Sequence, residues 1–171
     1  MIKSYVHNIT NVKNVDYICN SANGRGPMGL GVAGAIKRAG GIQIQDEAYY
    51  RCKLKNYQPG DIYITNAGDL PYKKILHLIT MKNPGGPTSL EIVKQCLLRL
   101  IKVCEIHNIK KIAIPALGTG VGMLPKSEVA NIYIDILEPV EDIEFHVVDI
   151  NHMFIEYVND KLKQKRGEMV I

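Results

Sequence analysis

No stretch of this chain is apolar for long enough to cross a membrane, and its start, Met-Ile-Lys-Ser-Tyr-Val-His, lacks the apolar centre of a secretory signal. A reduced cytoplasm is the compartment this leads us to expect. The four cysteines (Cys19, Cys52, Cys96, Cys104) show no paired spacing, so they read as small buried hydrophobes rather than a disulfide framework. The histidines form no H-x-x-x-H pair and no cluster with cysteine, so no metal site is expected. Neither sign of charge dominates: 21 Lys and Arg stand against 17 Asp and Glu, a net +4. That balance suits an anionic small molecule and disfavours nucleic acid as a partner. The one basic cluster, Lys161, Lys163, Lys165 and Arg166, reads better as the solvated end of a helix than as a basic arm. No repeat, linker or low-complexity segment interrupts the 171 residues, which read as a single domain, 1–171.

What the chain does have is two glycine-rich loops, each following a short apolar run. Tyr17–Asn23 leads into Gly24-Arg25-Gly26-Pro27-Met28-Gly29-Leu30-Gly31, and Ile112–Leu117 leads into Gly118-Thr119-Gly120-Val121-Gly122-Met123. Without a Cβ, the backbone can come close to a ligand and aim successive N–H groups at one anion. Where such a loop runs into a helix, the positive end of the helix dipole adds to the attraction. Two of them in one small domain suggest a diphosphate held from both sides.

The elements around them alternate. Strands are expected at 2–7, 16–20, 62–65, 75–79, 111–114 and 143–148, with a polar turn at Asn11–Asn14. Helices are expected at 32–39, 42–53, from Thr88 onward, through Leu137, and at 153–162. Thr88 with Glu91 reads as a capping box, and Pro125 as a first-turn proline. This pattern implies an α/β fold: a three-layer α/β/α domain on a mixed, largely parallel central sheet. Its ligand belongs beyond the carboxyl ends of the strands, where both glycine loops lie.

Other readings compete at these loops. Gly24-Arg25-Gly26-Pro27-Met28-Gly29 fits G-x-G-x-x-G, but a dinucleotide fold wants an acidic residue at a strand end about 20 positions later. Asp46 and Glu47 fall in a helical stretch instead, and Pro27 suits that tight turn poorly. No G-K-[ST] follows either loop, so a P-loop is excluded. Plain turn chemistry would explain either loop singly; the pair, with Asn20 and Asn23 before the first, favours ligand binding.

At these residues the chain resembles the macro domain family of ADP-ribose-binding modules, from about Ile2 to Leu162. His7-Asn8-Ile9-Thr10 and Val15-Asp16-Tyr17-Ile18-Cys19-Asn20-Ser21-Ala22-Asn23 are similar to the family's G-D-I-T and V-D-x-I-V-N-A-A-N. Gly29-Leu30-Gly31-Val32-Ala33-Gly34-Ala35-Ile36 is similar to its G-G-G-V-A-x-A-I, Ile75–Leu78 to x-I-H-x, and Pro115–Met123 to P-A-L-G-T-G-x-x-G. The helix Val32–Gly41 most resembles the archaeal and thermophile-type branch. The resemblance implies ADP-ribose, free or on a modified protein, as the partner, with no cofactor. Asn8 and Ile9 would meet the adenine, Asn8 through its side-chain oxygen. Gly31, Val32 and Ala33 with Thr119, Gly120, Val121 and Gly122 would cradle the diphosphate. Asn23 would hold the distal ribose as the candidate catalytic residue, and Asn20 would brace the loop beneath it. Ala22, Gly29, Ala116, Gly118 and Met123 complete the implied ligand-binding set.

Three positions depart from the family pattern. Asn8 replaces a usual Asp, Gly122 stands where many members carry an aromatic ring, and Ala33 stands where one hydrolase branch carries an Asp. The implied chemistry is hydrolysis at the distal ribose, of an ADP-ribosyl carboxylate, O-acetyl-ADP-ribose or ADP-ribose 1″-phosphate. A non-catalytic reader of ADP-ribose is the alternative, and a poly(ADP-ribose) or nucleic-acid binder a further one. Among other groups, His77 reads as a core histidine before a general base. Lys82 lies near the catalytic lysine of a DNA-directed branch, but reads better as a solvated loop lysine. Arg25 could reach a phosphate or a substrate protein, or equally be a surface charge. Phe154 and the turn Asp149-Ile150-Asn151 could line the adenine pocket, though packing explains Phe154 as well.

Overall fold

The computed structural model describes residues 1–167; residues 168–171 of the expected domain lie outside the described residues. Six strands form one sheet: β1 (Ile2–Val6), β2 (Tyr17–Asn23), β3 (Ile62–Thr65), β4 (Lys74–Met81), β5 (Lys111–Ile114) and β6 (Glu144–Asp149). Their order across the sheet is β1-β6-β5-β2-β4-β3. All neighbours run parallel except β3 against β4, so the sheet is mixed and largely parallel, as expected.

Five helices cover it: α1 (Gly31–Gly40), α2 (Ile42–Leu54), α3 (Leu90–Ile106), α4 (Lys126–Leu137) and α5 (His152–Lys165). The pleat divides the core between two faces. Cys19, Leu76, Ile112, Ile114, Phe145 and Val147 point to the α3, α4 and α5 side. Ile18, Ile75, Ala113 and Val148, their sequence neighbours, pack with Ile36 and Ile44 of α1 and α2. A strand buried on both faces has no polar side, which is why β4 reads as an unbroken apolar run.

Several boundaries differ from expectation, each for a local reason. β2 continues to Asn23, three residues past the expected end, because β4 pairs with it in register as far as Ala22↔Ile79. The turn after β1 begins as a 3₁₀ turn, Ile9–Asn11, capped by Asn8. The cap of α3 is Ser89, whose Oγ accepts from Ile92 N–H at 3.2 Å, and not Thr88. Thr88 instead turns its methyl toward the second glycine loop. Cys19, Cys96 and Cys104 are buried as expected, Cys52 is half-buried, and all four are free thiols. Phe154 is fully buried, its ring edge-on to Tyr133 at 5.4 Å, and so belongs to the core.

Candidate functional site

Because five strands run parallel, their carboxyl ends share one edge of the sheet, and the loops after β2, β4 and β5 meet there. The first loop is fixed by the carboxamide of Asn23. Its Oδ1 accepts the N–H groups of Arg25 and Gly26, both at 2.9 Å, and its Nδ2 donates to the Pro27 carbonyl at 2.9 Å. Gln45 of α2 accepts Met28 N–H at 2.8 Å, and the Met28 side chain is buried. The chain then enters α1 through Gly31 at φ +60°, a left-handed backbone suited to glycine. No side chain caps α1, and its first helical bond runs from Gly34 N–H to the Leu30 carbonyl at 3.1 Å. The N–H groups of Gly31, Val32 and Ala33 therefore head the helix without intrahelical acceptors, at the positive end of its dipole.

The second loop is fixed from below by α4. The buried Tyr133 hydroxyl accepts Leu117 N–H at 2.9 Å and donates to the Pro115 carbonyl at 2.5 Å. Burial pushes its pKa well up, so the phenol keeps the proton it donates. Beyond it, Gly118 sits at φ +72°, and its carbonyl accepts Leu124 N–H at 2.9 Å. A Cβ on Gly122 would lie 2.5 Å from the Thr88 methyl.

Between the loops lies a cleft of about 360 Å³, within the range of small-molecule sites. It brings together Ala22, Asn23, Gly29, Gly31, Val32, Ala33, Ala116, Gly118, Gly120, Val121 and Gly122 of the expected set. Asn8, Ile9, Asn20, Thr119 and Met123 are not among its lining residues. The sequence reading missed Ser21, Pro27, Leu30, Thr80, Met81, Pro84 and Gly85, which also line it. Those after β4 had a signal: an apolar run that pairs in parallel with β2 must end at the same edge. Among the described residues, no carboxylate, histidine, lysine or arginine lines the cleft.

Two expectations change on contact with this geometry, and two cationic side chains gain partners. The brace beneath the first loop is Asn23 itself. Asn20 lies buried in the sheet, with Nδ2 donating to His77 Nδ1 at 3.1 Å. Asn8 does not present its oxygen outward: Oδ1 accepts from Thr10 N–H at 2.9 Å and from Thr10 Oγ–H at 2.8 Å. Lys82 is half-buried in the loop after β4, its ammonium donating to the Tyr57 carbonyl at 2.7 Å and to Asn56 Oδ1. Arg25 is exposed and bridges two loops, its Nε donating to Asn83 Oδ1 at 2.8 Å.

His77 is a satisfied core histidine. Thr65 Oγ–H donates to the Asn66 carbonyl at 2.9 Å, so Thr65 receives His77 Nε2–H at 2.8 Å while Nδ1 accepts from Asn20. The Tyr63 ring stacks on it at 4.5 Å, and burial lowers its pKa to about 3. The imidazole is neutral with its proton on Nε2.

The family model for the macro domain matches residues 19–133. This chain belongs to the macro domain family. As a macro domain it is 37% identical, over 82% of each chain, to an uncharacterised protein of Aquifex aeolicus. It is 35% identical, over 78% of this chain and 75% of the other, to an O-acetyl-ADP-ribose deacetylase of an Enterobacter species. Some relatives are longer: this macro domain spans 58% of one from Aeropyrum pernix and 37% of one from Mycobacterium bovis. Among solved structures, the macrodomain of Thermus aquaticus DarG has a TM-score of 0.77 at 30% identity, covering 87% of this chain and 98% of that one. A variant Oceanobacillus iheyensis macrodomain with ADPR has a TM-score of 0.85 at 23% identity, covering 97% and 94%, a likeness of fold.

Proposed function

We propose that this macro domain binds ADP-ribose across the carboxyl edge of its sheet and hydrolyses ADP-ribose derivatives at the distal ribose. The observation that carries the reading is the convergence of an uncapped helix start (Gly31–Ala33) and a braced glycine turn (Gly118–Gly122) on one cleft. Uncommitted N–H groups at a helix start suit a diphosphate, whose charge they meet with no need for a cationic side chain. The distal ribose then lies toward Asn23, Thr80 and Met81, and the base toward the β1–β6 side, near Asn8 and Ile9.

The lining limits the chemistry. With no carboxylate or imidazole at hand, an attacking water is oriented by a diphosphate oxygen and the fixed amides, through positioning and electrostatics. Water oxygen bonds to C1″ as the C1″–O bond breaks. The bonding pair leaves with a carboxylate, and the water proton passes to the diphosphate oxygen and on to solvent. Such a site suits leaving groups that need no protonation, which favours acyl-linked ADP-ribose. The name of the Enterobacter relative points the same way.

A stoichiometric reader is the second reading, favoured by the engagement of Asn23 with its own loop. Calorimetric titration with ADP-ribose against AMP, NAD and ribose 5-phosphate tests the binding. Release from a glutamate-ADP-ribosylated protein tests the turnover: tight binding without release would leave only the reader. Poly(ADP-ribose) or nucleic-acid binding would appear as affinity falling steeply with salt.

A further inference from the structure

We propose that the domain carries a second anion site, at the edge of its sheet opposite the cleft, which takes a small ligand with a chain of phosphates. The inference stands apart from the proposed function, since none of its residues lines the cleft.

The amino ends of the parallel strands share an edge, as their carboxyl ends do. There the segments entering β2, β4 and β5 border a groove of about 720 Å³, within the range of small-molecule sites. Its cations are Lys73, Lys110 and Lys111, with the His107 imidazole beside them, and Asp16 is the one carboxylate among its lining residues. The cleft, by contrast, is lined by no charged side chain among the described residues. β2, about 20 Å long, separates the two.

The backbone under these side chains is fixed. Tyr17 pairs with Lys74 of β4 on one side and with Ile112 of β5 on the other, which sets Asp16 level with Lys73 and Lys111. Lys73 N–H donates to the Asp16 carbonyl at 2.7 Å, and Glu144 N–H to the Lys110 carbonyl at 2.8 Å. After α3 the chain reverses at Asn108, with φ +54°, and Ile109 N–H donates to the Cys104 carbonyl at 2.8 Å. That turn delivers Lys110 and Lys111 to the groove.

Of the three lysines, Lys73 alone meets a carboxylate, its Nζ 3.6 Å from Asp16 Oδ2, with both side chains exposed. Lys110 and Lys111 have no ion-pair partner among the described residues. Neighbouring strands lie about 4.8 Å apart, so Lys73 and Lys111, with β2 between them, stand about 10 Å apart. Asp16 occupies the middle and repels a single central anion. A phosphate chain, charged at several points, reaches both ends and replaces Asp16 as the partner of Lys73. The Asn14 and Asn108 amides and the Tyr17 ring border the same groove and can receive the rest of such a ligand.

The test is calorimetric titration with inorganic tripolyphosphate, then with ATP, of the wild type, the double variant Lys110→Gln/Lys111→Gln, Asp16→Asn and Gly120→Val. Lys110, Lys111 and Asp16 are exposed, so the melting curves of their variants should match the wild type. Tripolyphosphate should bind about ten-fold more weakly to the double variant and about three-fold more tightly to Asp16→Asn. Gly120→Val, altered in the cleft, should bind it as the wild type does. An advantage of ATP that survives in Gly120→Val identifies a nucleoside polyphosphate, and equal affinities identify the phosphate chain alone; either upholds the site. No binding to the wild type, undiminished affinity in the double variant, or loss in Gly120→Val would overturn the inference and leave the proposed function standing. So would an oligothymidylate that binds more tightly than tripolyphosphate with a steeper salt dependence, the mark of a nucleic-acid surface.

Discussion

Asn23 carries more of this site than any other side chain, through its own loop first. All three of its hydrogen bonds hold residues 25–27, and one amide hydrogen is left for a sugar hydroxyl. Asn23→Ala should therefore lower stability by about 1–3 kcal/mol, a fall in melting temperature of roughly 2–4 °C per kcal/mol for a chain of this size, and weaken ADP-ribose binding with it. Weaker binding at an unchanged melting temperature would mean that the amide serves the ligand alone. His77 provides a second test at this scale. Its folded pKa, about 3, lies below the ordinary 6.5, so below pH 6.5 the unfolded chain takes up a proton that the folded chain refuses. Its contribution is fully present above that pH and falls as pH drops, by up to about 1.4 kcal/mol per unit. Urea unfolding between about pH 5 and 7 should show this slope, and His77→Gln should flatten it.

Among the elements, the second glycine turn makes contrasting demands on two of its glycines. A Cβ at Gly120 meets nothing within 4 Å and would stand in the open cleft, while one at Gly122 meets the Thr88 methyl at 2.5 Å and the Gly118 carbonyl at 2.8 Å. Gly120→Val should keep the melting temperature and reduce ADP-ribose affinity by about ten-fold or more, as expected for lost close approach to a ligand. Gly122→Ala should lower the melting temperature itself. Tyr133→Phe removes the hydroxyl under the same turn and leaves Leu117 N–H and the Pro115 carbonyl buried and unpaired. That should cost about 1–3 kcal/mol, read as a lower urea midpoint at unchanged slope. The motifs made the loops legible before any coordinates, since glycines after an apolar strand imply a close backbone approach wherever the strand lies. They did not reveal what fixes the loops. Tyr133 and Gln45 reach them from 16 and 17 residues away, distances that follow from helix docking and leave no local pattern.

For the molecule as a whole, alternation of strands and helices was enough for the α/β class, and the lone antiparallel pair, β3 with β4, matches a mixed sheet. Strand order was not legible, because β2 sits between β4 and β5 only through long crossovers. With it went the residues after β4 that close the cleft. The Asn8 oxygen was misread for a related reason: its side chain caps its own turn, which residue identity alone does not disclose. A cleft lined, among the described residues, by no titratable side chain has one global signature. If turnover occurs, kcat should vary by less than about two-fold between about pH 6 and 8, because none of the described residues lining the site is a side-chain acid or base. A bell-shaped profile would reveal a group brought in from outside the cleft. The Thr88 methyl, on the segment that follows β4, occupies the space a side chain at position 122 would need, with a Cβ there only 2.5 Å from it. The second glycine turn is therefore filled from the segment after β4 as well as held by its own glycines. Grafting an aromatic ring onto position 122 would first require a smaller residue at position 88.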